Sequence, residues 1–233
     1  MKITYFGHSA FRIDTDHSSI LIDPFLSDNP HFKGDVADAT EDVTHIALTH
    51  GHFDHVGDTV EIAKRTGAKV VATFELAQWI SKKGVETIEP MNTGGTARFE
   101  DFSITLTQAF HSSGHVEEDG RVTYLGQPNG LVFHFDDGPT VYHMGDTDIF
   151  GDMALIEELH HPKIAMVPVG DRLTMGAAVA AIACRRYFDF ETIIPIHWGT
   201  LPILDKDPKT FVEAMEGESS KVMTPKICEP FEV

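Results

Sequence analysis

Residues 49–55 read Thr-His-Gly-His-Phe-Asp-His, which brings His50, His52 and His55 together with the carboxylate of Asp54 inside six positions. Imidazole is the commonest protein ligand for zinc, and a carboxylate beside it widens the choice to manganese or iron. In an extended segment, residues two apart project to one side, so His50 and His52 can grip one ion together. Asp54 and His55 follow once the chain turns, within reach of a second ion. So many polar groups directly after the apolar run Ile46-Ala47-Leu48 would be costly to hold without compensation.

The His-x-His-x-Asp-His pattern resembles the signature of the metallo-β-lactamase superfamily of metal-dependent hydrolases. Phe110-His111-Ser112-Ser113, Tyr142-His143-Met144-Gly145-Asp146-Thr147 and Pro195-Ile196-His197-Trp198 look like its later metal motifs, in the right order. Phe6-Gly7-His8-Ser9 and Leu21-Ile22-Asp23-Pro24 match its opening. More narrowly, residues 145–153 and Thr174-Met175-Gly176 are similar to a small branch of metal-dependent hydrolases related to the ascorbate-6-phosphate lactonases. Gly170-Asp171-Arg172 and Trp198-Gly199 depart from that branch's usual pattern, so its substrate does not transfer directly.

The resemblance covers nearly the whole chain. It implies an α/β (α+β) fold, a four-layer αββα sandwich. Carried over residue by residue, it implies that His50, His52 and His111 bind one ion and that Asp54, His55 and His197 bind another. Asp146 would bridge the two. The implied cofactors are two divalent metal ions, zinc first, with manganese or iron as alternatives. Ions about 3.5–4 Å apart can hold a hydroxide between them. Coordination lowers the pKa of bound water toward about 7, and the ions polarise the scissile carbonyl or phosphoryl group. Asp54 and Asp146 are the carboxylates expected to serve catalysis. No serine or cysteine nucleophile is needed, and Ser112 and Ser113 are expected to be supporting loop groups.

A ligating imidazole usually donates its other N–H to a carboxylate or carbonyl. Asp23, after a strand, is the first candidate to orient one of the loop histidines. His8 opens a loop after a strand, where functional groups concentrate. It either touches substrate, orients a ligand or is a hydrogen-bonded structural histidine. His143 has the same choices, but strand alternation points it away from Asp146 and favours an orienting or structural role. His115 and the charged run Glu117-Glu118-Asp119 suggest a mobile loop over the substrate. Trp198 is expected to pack in the core. His17, His31, His45, His134, His160 and His161 match no motif and are expected to be structural.

These groups must be delivered by strands. Alternating apolar runs predict strands at residues 2–6, 10–14, 19–22, 44–48, 69–72, 96–99, 102–110, 130–135, 140–144, 164–168 and 192–196. Helices are predicted over residues 59–66, 74–83, 153–159, 177–187 and about 208–217. Asp58-Thr59-Val60-Glu61 reads as a capping box at the start of the first. Asp136-Asp137-Gly138 is a hairpin signal. No repeat, linker or low-complexity stretch divides residues 1–233, so one metallo-hydrolase domain is expected.

The chain has 233 residues, 42% of them hydrophobic, enough for a full core. No run is long enough to span a membrane, and the apolar stretch 177–184 ends in Arg185-Arg186. Met1-Lys2-Ile3-Thr4-Tyr5 reads as a strand rather than a signal peptide. The only two cysteines, Cys184 and Cys228, form no paired motif. Both are expected as small packing residues in a reducing cytoplasm. The formal charge of −18 disfavours long nucleic acids.

A dinuclear hydrolase acting on a small ester, lactone or phosphate ester is therefore expected. The alternatives are a nucleotide phosphodiesterase or nuclease, and a non-catalytic metal- or ligand-binding module of the same fold. The expected partner is a small-molecule substrate, with no membrane; association into a homo-oligomer is left open.

Overall fold

The computed structural model describes residues 1–233. Strands β1 (Lys2–Gly7), β2 (Ala10–Asp14), β3 (Ser19–Ile22), β4 (His45–Ala47), β5 (Lys69–Thr73) and β6 (Ile88–Met91) form one sheet, which the C-terminal strand β15 (Pro230–Glu232) joins beside β1. The second sheet holds β7 (Thr96–Arg98), β8 (Phe102–Gln108), β11 (Asn129–Phe135), β12 (Val141–His143), β13 (Ile164–Pro168) and β14 (Thr192–Ile196), in the order β14-β13-β12-β11-β8-β7. A separate hairpin pairs β9 (Gly114–Val116) with β10 (Val122–Tyr124).

Side-chain alternation along these strands builds the layers. In β3, Ile20 and Ile22 face the second sheet, while Leu21 faces outward. In β13, Ile164 and Met166 face the first sheet, while Ala165 and Val167 face outward. One apolar core therefore lies between the sheets. A second lies between the first sheet and helices α3 (Thr59–Thr66) and α4 (Phe74–Lys82). A third lies between the second sheet and helices α5 (Met153–His160), α6 (Ala177–Tyr187) and α7 (Lys209–Ala214). Three cores separate four layers, the αββα sandwich the resemblance implied. Short helices α1 (Val36–Ala39) and α2 (Phe53–Val56) sit in loops. No helix is long and apolar enough to cross a membrane.

Strand direction places the site. β1 and β3 are both antiparallel to β2, and β4 is parallel to β3. In the other sheet β8 and β12 are both antiparallel to β11, and β14 follows β13 and β12 in parallel. So β1, β3 and β4 run one way, and β8, β12 and β14 run one way. The loops after these six strands carry His8, Asp23, the 50–55 segment, His111, Asp146 and His197.

The structure departs from the sequence expectations at several points. The capping box does not form: Asp58 precedes α3, but its carboxylate accepts from the N–H groups of Leu26 and Ser27 and from the Ser27 hydroxyl. A nearby loop with unsatisfied N–H groups outcompetes the helix start. The helix expected over 208–217 stops at Ala214 and continues as a 3-10 helix over Glu216–Lys221. The charged segment 117–119 lies at the turn of the β9–β10 hairpin rather than in an irregular loop. Cys184 is buried as expected, whereas Cys228 is exposed. Strands β6, β9, β10 and β15 had no strong periodic signal because they are short or edge strands.

Asp58→Ala should cost about 1–2 kcal/mol of stability through loss of the loop's acceptor. Glu61→Ala should fall within about 0.5 kcal/mol of the parent, as for a surface position without special contacts. Urea denaturation of both variants checks this; equal losses would restore the capping box.

Candidate metal centre

After β4 the chain continues extended through Leu48, whose N–H bonds the Val71 carbonyl at 3.0 Å. Thr49, His50 and His52 follow, and α2 then presents Asp54 and His55 on a single turn. His50 Nε2 stands 2.9 Å from His52 Nδ1, and His52 Nδ1 stands 3.3 Å from His111 Nε2. Donors bound tetrahedrally at about 2.0–2.1 Å stand roughly 3.3–3.4 Å apart, so these three nitrogens suit one ion with little movement. On the other side, His8, Asp54, His55 and His197 bring one donor atom each within 4.8 Å of one another.

Asp146 lies between the two groups. Its Oδ2 is 3.0 Å from His197 Nε2 and 3.6 Å from His111 Nε2, while Oδ1 is 3.3 Å from His55 Nε2. His55 Nε2, His197 Nε2 and Asp146 Oδ1 are buried and make no hydrogen bond. Buried polar atoms are normally satisfied, so three unsatisfied ones aimed at a common space fit a metal. Gly145 makes this approach feasible. It takes φ 64°, and a Cβ there would lie 2.6 Å from the Asn129 carbonyl.

The surrounding residues fix the ring orientations. Asp23, the expected orienting carboxylate, accepts from His55 Nδ1–H at 2.7 Å, and from the Thr49 N–H at 2.9 Å and hydroxyl at 2.6 Å. His8 Nε2–H donates to Asp54 Oδ2 at 3.1 Å, while its Nδ1 accepts from Thr200 at 2.5 Å. His8 therefore sits at the site, a question the sequence left open. The His197 N–H donates to the His8 carbonyl at 2.9 Å, tying the loop after β14 to the loop after β1 across the two sheets. His8, Asp23 and His197 all adopt left-handed φ values, 56°, 44° and 61°. Such strain in non-glycine residues concentrates at functional sites.

His143 is different. Its Nε2–H donates to the Ser9 carbonyl at 2.9 Å and its Nδ1 accepts from the Gly145 N–H at 3.1 Å. Both nitrogens are used and the residue is buried, which leaves none for substrate and fits the favoured structural role, here in support of the turn before Asp146. Ser113 accepts from the Gly51 N–H at 3.0 Å, a supporting role. His115 packs on Trp79, away from the cluster. Trp198 packs against the core, with Nε1–H on the Pro195 carbonyl. His134 pairs with His160, and His45 packs on Phe99 and Phe102.

Electrostatics divides the histidines. Burial pushes His50 well below the usual imidazole range, and lowers His52 and His111 as well. Burial, with the neighbouring His197, takes His8 down to about 4. Burial opposes a proton on His197 too, but the Asp146 carboxylate overrides it and raises His197 to about 9. His55 is held well above its usual range by Asp146 and Asp23, again against burial. Burial would raise Asp54 and Asp146, yet their histidine partners hold both carboxyls below the ordinary range.

The cluster floors a cavity of about 870 Å³, into which His52, Asp54, His111 and Asp146 face. Its walls include Phe53, Val116, Val122, Tyr124, Leu173 and Leu201. Phe53 lies inside the metal motif and Val116 in the segment expected to lie over the substrate; the others carry no sequence signal for the site. They come from separate loops and from a hairpin too short to register.

A buried histidine and aspartate cluster at the strand ends of an αββα sandwich defines a metal-dependent hydrolase of the metallo-β-lactamase fold. The profile of the beta-lactamase superfamily domain matches residues 2–197, and the chain belongs to that superfamily. It is 58% identical over 228 residues to a UPF0173 metal-dependent hydrolase of Sinorhizobium medicae, covering 97% of each chain. It is 57% identical over 227 residues to one of Agrobacterium fabrum, again covering 97% of each. Among solved structures it is similar to Igni18, a metallo hydrolase from the archaeon Ignicoccus hospitalis, at 35% identity and a TM-score of 0.86, covering 100% of this chain and 98% of that one.

Gly170, after β13, tests how tightly the centre is built. A Cβ there would overlap the His197 carbonyl oxygen far below van der Waals contact, whereas a Cβ at Gly151 would meet nothing within 4 Å. Gly170→Ala should cost about 1–3 kcal/mol and weaken metal binding; Gly151→Ala should do neither. Thermal denaturation with metal titration separates them, and an unaffected Gly170→Ala would mean that His197 is loosely held.

Proposed function

We propose that this chain hydrolyses a small ester, lactone or phosphate ester with two divalent ions, zinc first and manganese or iron as alternatives. His50, His52 and His111 would hold one ion, Asp54, His55 and His197 the other, and Asp146 both. The single observation that carries this reading is the set of unsatisfied buried atoms on His55, Asp146 and His197, all aimed into one space. When bound, such ions activate water at neutral pH and stabilise the charge that develops on the scissile group. The chain's own residues then have distinct tasks. Asp23 holds Nδ1–H of His55 and so turns its Nε2 toward Asp146. His8 fixes one oxygen of Asp54, and Thr200 fixes His8. Burial of the cluster removes competing water and strengthens each of these contacts.

The nuclease alternative has little support. The formal charge is −18 and no lysine or arginine lines the cavity, so phosphate contacts along a strand are missing. A non-catalytic binding module would leave unexplained why the donors open onto a substrate-sized cavity.

Asp146→Asn keeps the shape of the bridging side chain but removes its charge. It should lower hydrolysis by at least about 100-fold with a far smaller change in folding, while His134→Ala should leave hydrolysis within about twofold. Similar losses in both would refute the assignment of Asp146. The measurements are elemental analysis, steady-state rates on an ester, lactone and phosphodiester panel, and circular dichroism.

Metal affinity should rise with pH. The metal-free His197 keeps its proton up to about 9, and a ligand must lose its proton to bind. Each proton expelled makes binding roughly tenfold tighter per pH unit until His197 is neutral by itself. Calorimetry in buffers of different ionisation enthalpy should detect proton release at pH 7.5. Binding without proton release would contradict these ligands.

A further inference from the structure

We infer that the substrate carries an uncharged apolar group next to the bond that is cut, and that the β9–β10 hairpin is the wall that selects it. This rests on the hydrolase reading above and narrows its substrate class. The hairpin pairs Gly114 with Tyr124 and Val116 with Val122, so strand alternation puts these four on one face. All four line the cavity over the metal cluster. The intervening pair, His115 and Thr123, faces the other way. His115 packs at a tilt against Trp79, and Thr123 donates to Glu117, which also accepts from Trp79 Nε1–H at 3.0 Å. The back of the hairpin is thus anchored to α4, and its apolar front is left uncovered.

Val116, Val122 and Tyr124 are 66%, 70% and 61% exposed. A two-stranded hairpin open to water ordinarily shows polar side chains on its free face, and clustered apolar exposure marks a binding surface. Here the surface is concave and ends at the cluster, with Phe53, Leu173 and Leu201 completing it. Its neutral polar groups are few: Ser112, Ser113, Gln127 and the Tyr124 hydroxyl, the last two bonded to each other at 3.1 Å. No lysine or arginine lines the cavity; Arg172, the neighbour of Leu173, is exposed outside it. The Glu75 carboxylate stands behind Gly126 on the same wall. An anionic group at this distance from the floor would meet no cation. An alkyl or aryl group would cover apolar surface, and the volume of about 870 Å³ accommodates more than a bare acetyl ester.

Alkyl hydroxamates provide a probe that needs no turnover. Acetohydroxamate, butyrohydroxamate, hexanohydroxamate and octanohydroxamate, with an octanoyl analogue ending in a carboxylate, would be titrated into the zinc-loaded protein by calorimetry. Matching p-nitrophenyl esters would be assayed in parallel. Affinity should tighten roughly two- to fourfold per methylene over the first several carbons, and the carboxylate-ended chain should bind at least about tenfold more weakly than its neutral counterpart. Val122→Asp should flatten the series. Arg121→Asp, at the hairpin's turn and outside the cavity, should leave the slope unchanged. Binding that is independent of chain length, or tighter for the anionic chain, would overturn the inference while leaving the metal reading intact. No hydroxamate binding at all would overturn the metal reading and this inference with it. A dimer that dissociates on Val122→Asp while the chain-length slope persists would assign the hairpin face to self-association instead.

Discussion

Asp146 buries a carboxylate between His55, His111 and His197 at an exposure of only 2%. A lone carboxylate at that depth would cost several kcal/mol, so its surroundings have to supply positive charge or a metal. Asp23, also fully buried, makes the same demand from the other side of His55. In the metal-free state, protons shared by His55 and His197 meet it, which is why both imidazoles are raised although burial alone would lower them. A bound metal would take the place of those protons. Three features of the surrounding scaffold follow from keeping these carboxylates compensated. The loops are pinned by Thr49 and Thr200, glycine stands at 145 and 170, and His8, Asp23 and His197 hold backbone conformations that L residues rarely adopt.

The two sheets make that convergence possible. Each contributes three like-directed strands whose following loops emerge at one edge, and the inter-sheet core fixes their separation. The His197 N–H to His8 carbonyl bond joins the two sets of loops directly. These strands are packed on both faces, against the other sheet on one side and helices on the other, and a slip in register would disrupt both sets of contacts. The donors inherit that rigidity. A site assembled from two sheets is thereby held as firmly as one built on a single element.

Above the cluster the chemistry changes character. The floor is dense with ionisable groups, while the walls are apolar or neutral. The molecule's acidic surface and the absence of cationic walls work in the same direction: phosphate-rich ligands gain nothing beyond the floor. On the proposed reading, affinity for a substrate comes from apolar contact, with the centre itself supplying the reaction. This division between a generic hydrolytic floor and a selective wall explains how one fold hosts many substrates.

The candidate donors of the 50–55 segment were legible in the sequence because they are local and of unusual chemistry. Three histidines and an aspartate in six residues have no ordinary structural role, and the helix and strand periods of the flanking segments are strong: α3, α6, β2, β3, β13 and β14 lie where their apolar patterns put them. Other features depended on contacts between distant segments. Asp58 could have capped α3, but the N–H groups of Leu26 and Ser27 reached its carboxylate first. His143 could have touched substrate, but Ser9 and Gly145 occupy both of its nitrogens. His8 could have been structural, but Asp54, in sequence far away, is its partner. The wall of the cavity was least legible, since valine, leucine and tyrosine read alike in a core and in a pocket. Residue chemistry and period thus marked the candidate donors of the 50–55 segment and most of the strands and helices, while the family resemblance supplied His111, Asp146, His197 and the layers. Only the tertiary structure decided which side chains satisfy one another and which apolar groups stay uncovered, because those outcomes depend on which distant loops arrive at the same edge.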